Sequence, residues 1–225
     1  MRWNHVLTIF SLLVLSACSG WQEPPALTAK NLTVTAAHTV ERFRQHKDLK
    51  EFAPLLEEAH AAVILPTVIK AGFFAGGEAG NGVLVKRNGD GSWGYPSFFT
   101  LGAASFGLQF GVQDTAIVLI IRSEGALQSI LDHQGKIGAD TGATVGVRGV
   151  GMEASITTNL GADIVAFANS NVGAYLGASI EGAVLAKRND LNTVFYGPDA
   201  TSETVLAGGY KNPDADQLRQ VLANP

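Results

Sequence analysis

Apolar positions along the chain change their period twice. Residues 6–15 form an almost unbroken apolar run, interrupted only by Thr8 and Ser11. From Leu32 to His60 apolar residues recur at three- and four-residue spacing, the period that lines one face of a helix. Leu32, Thr35/Ala36, Thr39/Val40 and Phe43 predict a helix over 32–46, with Thr28 and Asn31 as candidate caps. Phe52, Leu55, Leu56 and Ala59 predict a second over 49–60, with Pro54 in its first turns, where a missing N–H is tolerated. Beyond Ala61 the helical period fades and glycine punctuates short apolar runs. These predict strands over 61–65, 82–86, 108–112, 115–121, 164–167 and 183–186.

Asn88-Gly89-Asp90-Gly91 favours positive φ and a hairpin reversal, and Asp114 and Asn169-Ser170-Asn171 suggest further reversals. Residues 102–111 alternate small with large side chains. Glycine repeated inside strands marks tight bends and close backbone approach, which suits a small, strongly curved sheet. Short helices are expected over 125–132, 201–206 and 214–222. The pattern predicts a mainly β protein with helices (α+β): a small curved antiparallel β-barrel core with helices packed outside. One internal echo is visible, Val83-Leu84-Val85-Lys86-Arg87-Asn88 against Val184-Leu185-Ala186-Lys187-Arg188-Asn189, which suggests structurally related halves.

The first apolar run belongs to something else. Arg2 supplies a positive n-region, and residues 6–15 are far shorter than a bilayer span of about 20 residues. Leu15-Ser16-Ala17-Cys18 then matches the bacterial lipobox of aliphatic, small, small, cysteine. Residues 1–17 therefore read as a cleaved lipoprotein signal and Cys18 as the lipidated N-terminus. Residues 18–29, with Pro24-Pro25, read as a tether, and 30–225 as a single domain. In Gram-negative bacteria an aspartate after the lipidated cysteine usually retains a lipoprotein at the inner membrane. Ser19 points to the outer membrane, facing the periplasm.

Composition narrows the chemistry. Without residues 1–17 the chain carries 15 basic against 20 acidic residues, a net −5, which disfavours nucleic acid as a partner. Cys18 is the only cysteine, so the domain has no disulfide and no thiol for metal or nucleophilic work. His5, His38, His46, His60 and His133 have no metal-ligand spacing, and no metal or cofactor is expected. Ala104-Ser105-Phe106-Gly107 only half resembles a nucleophile elbow. Gly77-x-x-Gly80-x-Gly82 and Gly146-x-x-Gly149-x-Gly151 reverse the dinucleotide spacing and precede no long helix, so strand curvature explains them better. No pair of acids stands out as a catalytic dyad, and the chain is not expected to be an enzyme.

The basic residues are more suggestive. Lys86-Arg87 and Lys187-Arg188 both end apolar strands, and Lys70 precedes Gly72. Gathered on one rim, such groups would suit a headgroup bearing several phosphate oxygens. Trp93, Tyr95, Phe98 and Phe99 could dip into the bilayer interface beside them. The plainer alternative is that the Lys-Arg pairs solubilise strand ends and the aromatics are core.

Several segments between about Phe52 and Tyr210 resemble the SYLF-domain family, found in bacterial lipoproteins and in eukaryotic membrane-trafficking proteins. They are Lys70-Ala71-Gly72-Phe73 with Gly76-Gly77, Trp93-x-x-Pro96-x-Phe98, Gly107-x-Gln109-x-Gly111 with Asp114, and Gly138-Ala139-Asp140. The last run is Gly173-Ala174-Tyr175-Leu176-Gly177-Ala178-Ser179-Ile180-Glu181-Gly182, completed by Asn192 and Phe195-Tyr196-Gly197. The chain departs from the family in having Gly146-Val147-Arg148-Gly149 where many relatives have Gly-Pro-x-Gly. The resemblance implies a non-enzymatic domain that binds phosphoinositides or other anionic phospholipids, on a β-barrel core with helices outside. Actin binding, known among yeast relatives, is not expected of a bacterial envelope protein. The remaining alternative is a structural envelope lipoprotein that holds a protein partner.

Overall fold

The computed structural model describes residues 23–72, 75–106, 111–132, 135–138, 143–150, 162–169, 180 and 182–224. Two helices, α1 (Pro25–Gln45) and α2 (Phe52–Glu57), precede β1 (Ala61–Gly72), β2 (Ala75–Lys86), β3 (Ser97–Phe106) and β4 (Gly111–Ile121). Helix α3 (Glu124–Asp132), β5 (Val145–Gly149), β6 (Ile164–Ala168) and β7 (Val184–Lys187) follow. The chain ends in α4 (Asn189–Tyr196), α5 (Ser202–Leu206), a 3-10 turn at Pro213–Ala215 and α6 (Asp216–Ala223).

The strands form one seven-stranded sheet in the order β5-β6-β4-β1-β2-β3-β7. All neighbours run antiparallel except β5 and β6. Both faces are covered, so the middle strands read as continuous apolar runs. On one face Ile64, Val83, Phe98, Val118 and Phe167 pack under α1, α2, α4 and α6. Phe43 of α1, Phe52 of α2 and Phe167 meet there with ring centroids 5.4 and 5.2 Å apart. On the other face Val63, Leu65, Leu84, Phe99, Leu101, Leu119 and Ile121 pack around Leu127 and Ile130 of α3.

The expected barrel becomes a curved sheet that does not close among the described residues. Closure would require an outer partner strand on β7, but the segment after α3 lies there instead. Leu185 N donates to Gly135 O at 2.8 Å and Ile137 N to Ala183 O at 2.9 Å. Gly135 has φ +80°, and a Cβ there would sit 2.0 Å from Leu185 O, so only glycine admits this crossing.

Boundaries differ from expectation for identifiable reasons. Helix α1 begins at Pro25, within the segment read as tether, because proline at the first helical position lacks only an N–H that has no helical partner. Strand β1 does not stop at Leu65. Pro66 and Thr67 form a bulge: from Ile64 to Ile69 β1 advances five residues while β2 advances four, from Val83 to Ala79. The same extra residue appears against β4. A bulge is where a central strand tolerates a proline. Asp114 makes no reversal; it lies within β4 opposite Ile69.

The internal echo does not extend to structure. β2 is a 12-residue strand paired on both sides and followed by the Asn88–Ser92 turn, whereas β7 has four residues and leads into α4. The glycines at 77, 80 and 82 lie in β2, as strand curvature required. The expected strand over 108–112 is described only from Gly111, and Ser170 and Asn171 lie outside the described residues.

Candidate ligand-binding site

Cys18 lies outside the described residues. The five cations singled out in the sequence are all held by the protein itself, and they do not share a rim. Lys187 is level with Phe99, hence with Gly82, four residues along β2 from Lys86. Lys70 stands toward the opposite end of the β1–β2 hairpin. There its Nζ lies 3.0 Å from Glu78 Oε1, with side-chain exposures of 22% and 5%. Lys86 Nζ lies 2.8 Å from Glu124 Oε1 at the start of α3, and Lys187 pairs with Glu203 of α5.

Arg87 is a structural clamp. Its Nε donates to Ala59 O at 2.9 Å, its Nη2 to Leu56 O and Glu57 O at 3.1 Å, and its Nη1 to Gly91 O at 2.9 Å. These carbonyls include the end of α2, where a helix has acceptors without partners. The guanidinium also stacks 4.4 Å from the Trp93 ring, and burial pulls its pKa below the usual arginine range. Arg87→Ala should therefore lower stability by about 2 kcal/mol, read from the denaturant midpoint, with Arg87→Lys recovering only part.

The expected aromatic interface is corrected. Trp93, Phe98 and Phe99 are 1%, 0% and 1% exposed. Phe98 and Phe99 face opposite sides of β3, and each side is covered by a core cluster. Tyr95 is half-buried: its hydroxyl donates to Asp216 Oδ1 at 2.8 Å, and Arg219 lies 4.2 Å from its ring. Tyr95 thus ties the start of β3 to α6, Phe98 packs on Phe195 of α4, and Phe99 lies in the opposite core, so these rings are structural rather than meeting a bilayer.

Arg188 differs from the other cations in its surroundings. Its Nε and Nη2 form a fork with Asp190 at 2.8 and 2.7 Å. Its Nη1 donates to Asn81 Oδ1 at 3.1 Å and to Thr100 Oγ1 at 3.4 Å. The Asp190 hydrogen bonds raise the Arg188 pKa, and the guanidinium holds the Asp190 carboxyl below the usual carboxylate range. Asn81 and Thr100 line a groove of about 380 Å³, walled by Leu32 and Thr35 of α1 and by Pro66 and Ile69 at the β1 bulge. Sequence reasoning found Arg188 but missed Asn81, Thr100 and the groove. The available signal was Pro66 inside an apolar run, which marks a bulge rather than a strand end.

Among the described residues no group of three or more His, Cys, Asp or Glu side chains could hold a metal ion. No described helix is long and apolar enough to cross a membrane.

Comparison with known proteins places this fold. Residues 102–224 match the family described as "Ysc84: Las17-binding protein actin regulator". Protein YSC84 of Saccharomyces cerevisiae is 36% identical over 171 residues, covering 75% of this chain and 36% of the yeast protein. LAS seventeen-binding protein 3 of the same species is 33% identical over 171 residues, 75% of this chain and 37% of its own length. Human SH3 domain-containing YSC84-like protein 1 is 28% identical over 172 residues, 76% of this chain and 50% of its own length. The chain thus spans between about a third and a half of the length of these relatives. The chain belongs to the Ysc84 family of SYLF-domain proteins.

Proposed function

We propose that this chain is a non-catalytic binding domain held at a bacterial outer membrane by lipid on Cys18, and that it recognises anionic phospholipid or phosphoinositide headgroups. The observation that carries the reading is the Arg188 corner. A planar cation lies beside an apolar groove, oriented by Asn81 and Thr100, and among the described residues its ion-pair partner is the exposed Asp190. An arginine fork matches phosphate oxygens, and a phosphate could take the place of the Asp190 carboxylate.

Residues 19–225 contain every described element, so this unlipidated protein tests the reading. It should sediment with vesicles containing phosphatidylglycerol or phosphoinositide, not with phosphatidylcholine alone, and salt should weaken the contact. Arg188→Ala should reduce that binding. Asp190→Asn should tighten it about two- to fivefold, the size of an exposed ion pair, because the competing carboxylate is gone. Since Arg188 keeps Asp190 ionised below the usual carboxylate range, wild-type binding should stay flat through neutral pH, and any strengthening from opening of the pair should come only in acid. Absence of anionic selectivity in the wild-type protein would end the lipid reading.

A second reading, a scaffolding envelope lipoprotein with a protein partner, draws support from the family description and from the name LAS seventeen-binding protein 3. Co-purification of a defined envelope protein without lipid selectivity would favour it.

A further inference from the structure

We propose that the groove beside α1 receives an acyl chain of the bound membrane phospholipid, so that the domain holds this lipid by its tail as well as its head. The inference rests on the lipid reading above and deepens it. The walls of the groove offer little but hydrocarbon. Leu32 is partly buried, and Thr35 donates its hydroxyl to Asn31 O of its own helix at 2.7 Å, which leaves its methyl for the groove. Pro66 has no N–H to satisfy. Ile69 is 49% exposed on a strand whose other large apolar side chains are buried.

Apart from the hydroxyls of Thr35 and of Thr67 on the bulge, the polar side chains of the groove are Asn81 and Thr100, which meet Arg188. Asn81 Oδ1 accepts from Thr100 Oγ1 at 2.6 Å and from Arg188 Nη1 at 3.1 Å, so that oxygen is saturated. What remains for a ligand is the Asn81 amide N–H pair, with the Arg188 guanidinium beyond it. Apolar walls ending in N–H donors and a cation complement an amphiphile whose tail leads to ester and phosphate oxygens. At about 380 Å³ the groove falls in the ordinary range for small-ligand sites.

Its position agrees. Leu32 and Thr35 belong to the first three turns of α1, and Cys18 precedes Pro25 by seven residues, a reach of at most about 25 Å. The groove therefore opens beside the first half of α1, about 10–15 Å along the helix from its start and within the reach of a tether from Cys18. The bulge supplies the shape: β1 gains a residue at Pro66–Thr67 and passes so close to β2 that a Cβ on Gly80 would sit 2.5 Å from Thr67 O.

The test uses residues 19–225 and two soluble probes, palmitoyl-lysophosphatidylglycerol below its micellar concentration and the deacylated head glycerophosphoglycerol. Wild-type protein should bind the lysolipid at least about tenfold more tightly than the head alone. Ala79→Phe places a ring in the groove at an exposed strand position, and it should bring the two probes to equal affinity without moving the melting temperature. Equal binding of both probes by wild type, or unchanged lysolipid binding by Ala79→Phe, would overturn the inference. Anionic vesicle binding without lysolipid binding would overturn it alone, leaving the headgroup reading intact. Binding of neither would remove both. If the lipidated chain refuses a probe that residues 19–225 accept, the occupant is the Cys18 acyl chain, which overturns the phospholipid assignment.

Discussion

Asn192→Leu is expected to destabilise the fold by about 3 kcal/mol, because it strands two buried polar groups at once. Asn192 is fully buried and is close in shape to leucine, so packing is nearly conserved and the effect isolates hydrogen bonding. Its Oδ1 accepts from Phe98 N at 3.1 Å, and its Nδ2 donates to Ser97 Oγ and Ser202 Oγ, both at 3.2 Å. Ser202 retains Asn189, which accepts from its N and Oγ. Phe98 N and Ser97 Oγ are left with nothing. Ser97→Ala removes the group along with its need, so it should cost less than about 1 kcal/mol. Both values come from urea or guanidinium midpoints at unchanged m. Equal losses for the two variants would show that the network is not what joins α4 and α5 to β3.

Gly82→Ala should cost a similar amount, about 3 kcal/mol, for a steric reason. A Cβ at Gly82 would lie 2.3 Å from Ile64 O and 2.9 Å from Leu65 Cδ2. The obstacle is mainly backbone in the centre of the sheet, which cannot rotate away, so β1 and β2 would have to separate. Gly102 in β3 is the control, since a Cβ there meets nothing within 4 Å. Gly102→Ala should be neutral or slightly stabilising, through the reduced freedom of the unfolded chain. Matching melting curves for the two variants would refute the close approach.

These positions show how far the sequence could be read. Helical spacing located the bodies of α1 and α2, and apolar runs located β1, β2, β4, β6 and β7, because burial on one face or two leaves a period behind. Strands β3 and β5, whose apolar residues are broken by glycine and small side chains, are not among the expected strands. Period could not say that β1 survives Pro66, since a bulge obeys no period. Nor could it find α4, whose Leu191 and Phe195 sit behind the Lys-Arg-Asn run that echoes the end of β2. Trp93, Phe98 and Phe99 illustrate a second limit. Apolar residues at adjacent strand positions fit an exposed patch or a strand buried on both faces, and only the helices on each side decide. The cations show a third. Lys86 finds Glu124 and Arg188 finds Asn81, partners 38 and 107 residues away in sequence, and composition carries no trace of such pairings.

Helix α6 lies alongside α1 in the same direction: Asp214 meets Lys30 and Thr33, and Leu222 O accepts from Arg44. Chain attached before Pro25 and chain attached after Ala223 consequently depart from opposite ends of a 21-residue helix about 30 Å long. The fold thus acts as a spacer with a fixed polarity. A module joined at the C-terminus would leave the domain about one helix length from the point where the N-terminal chain enters it, with no linker needed to set that separation.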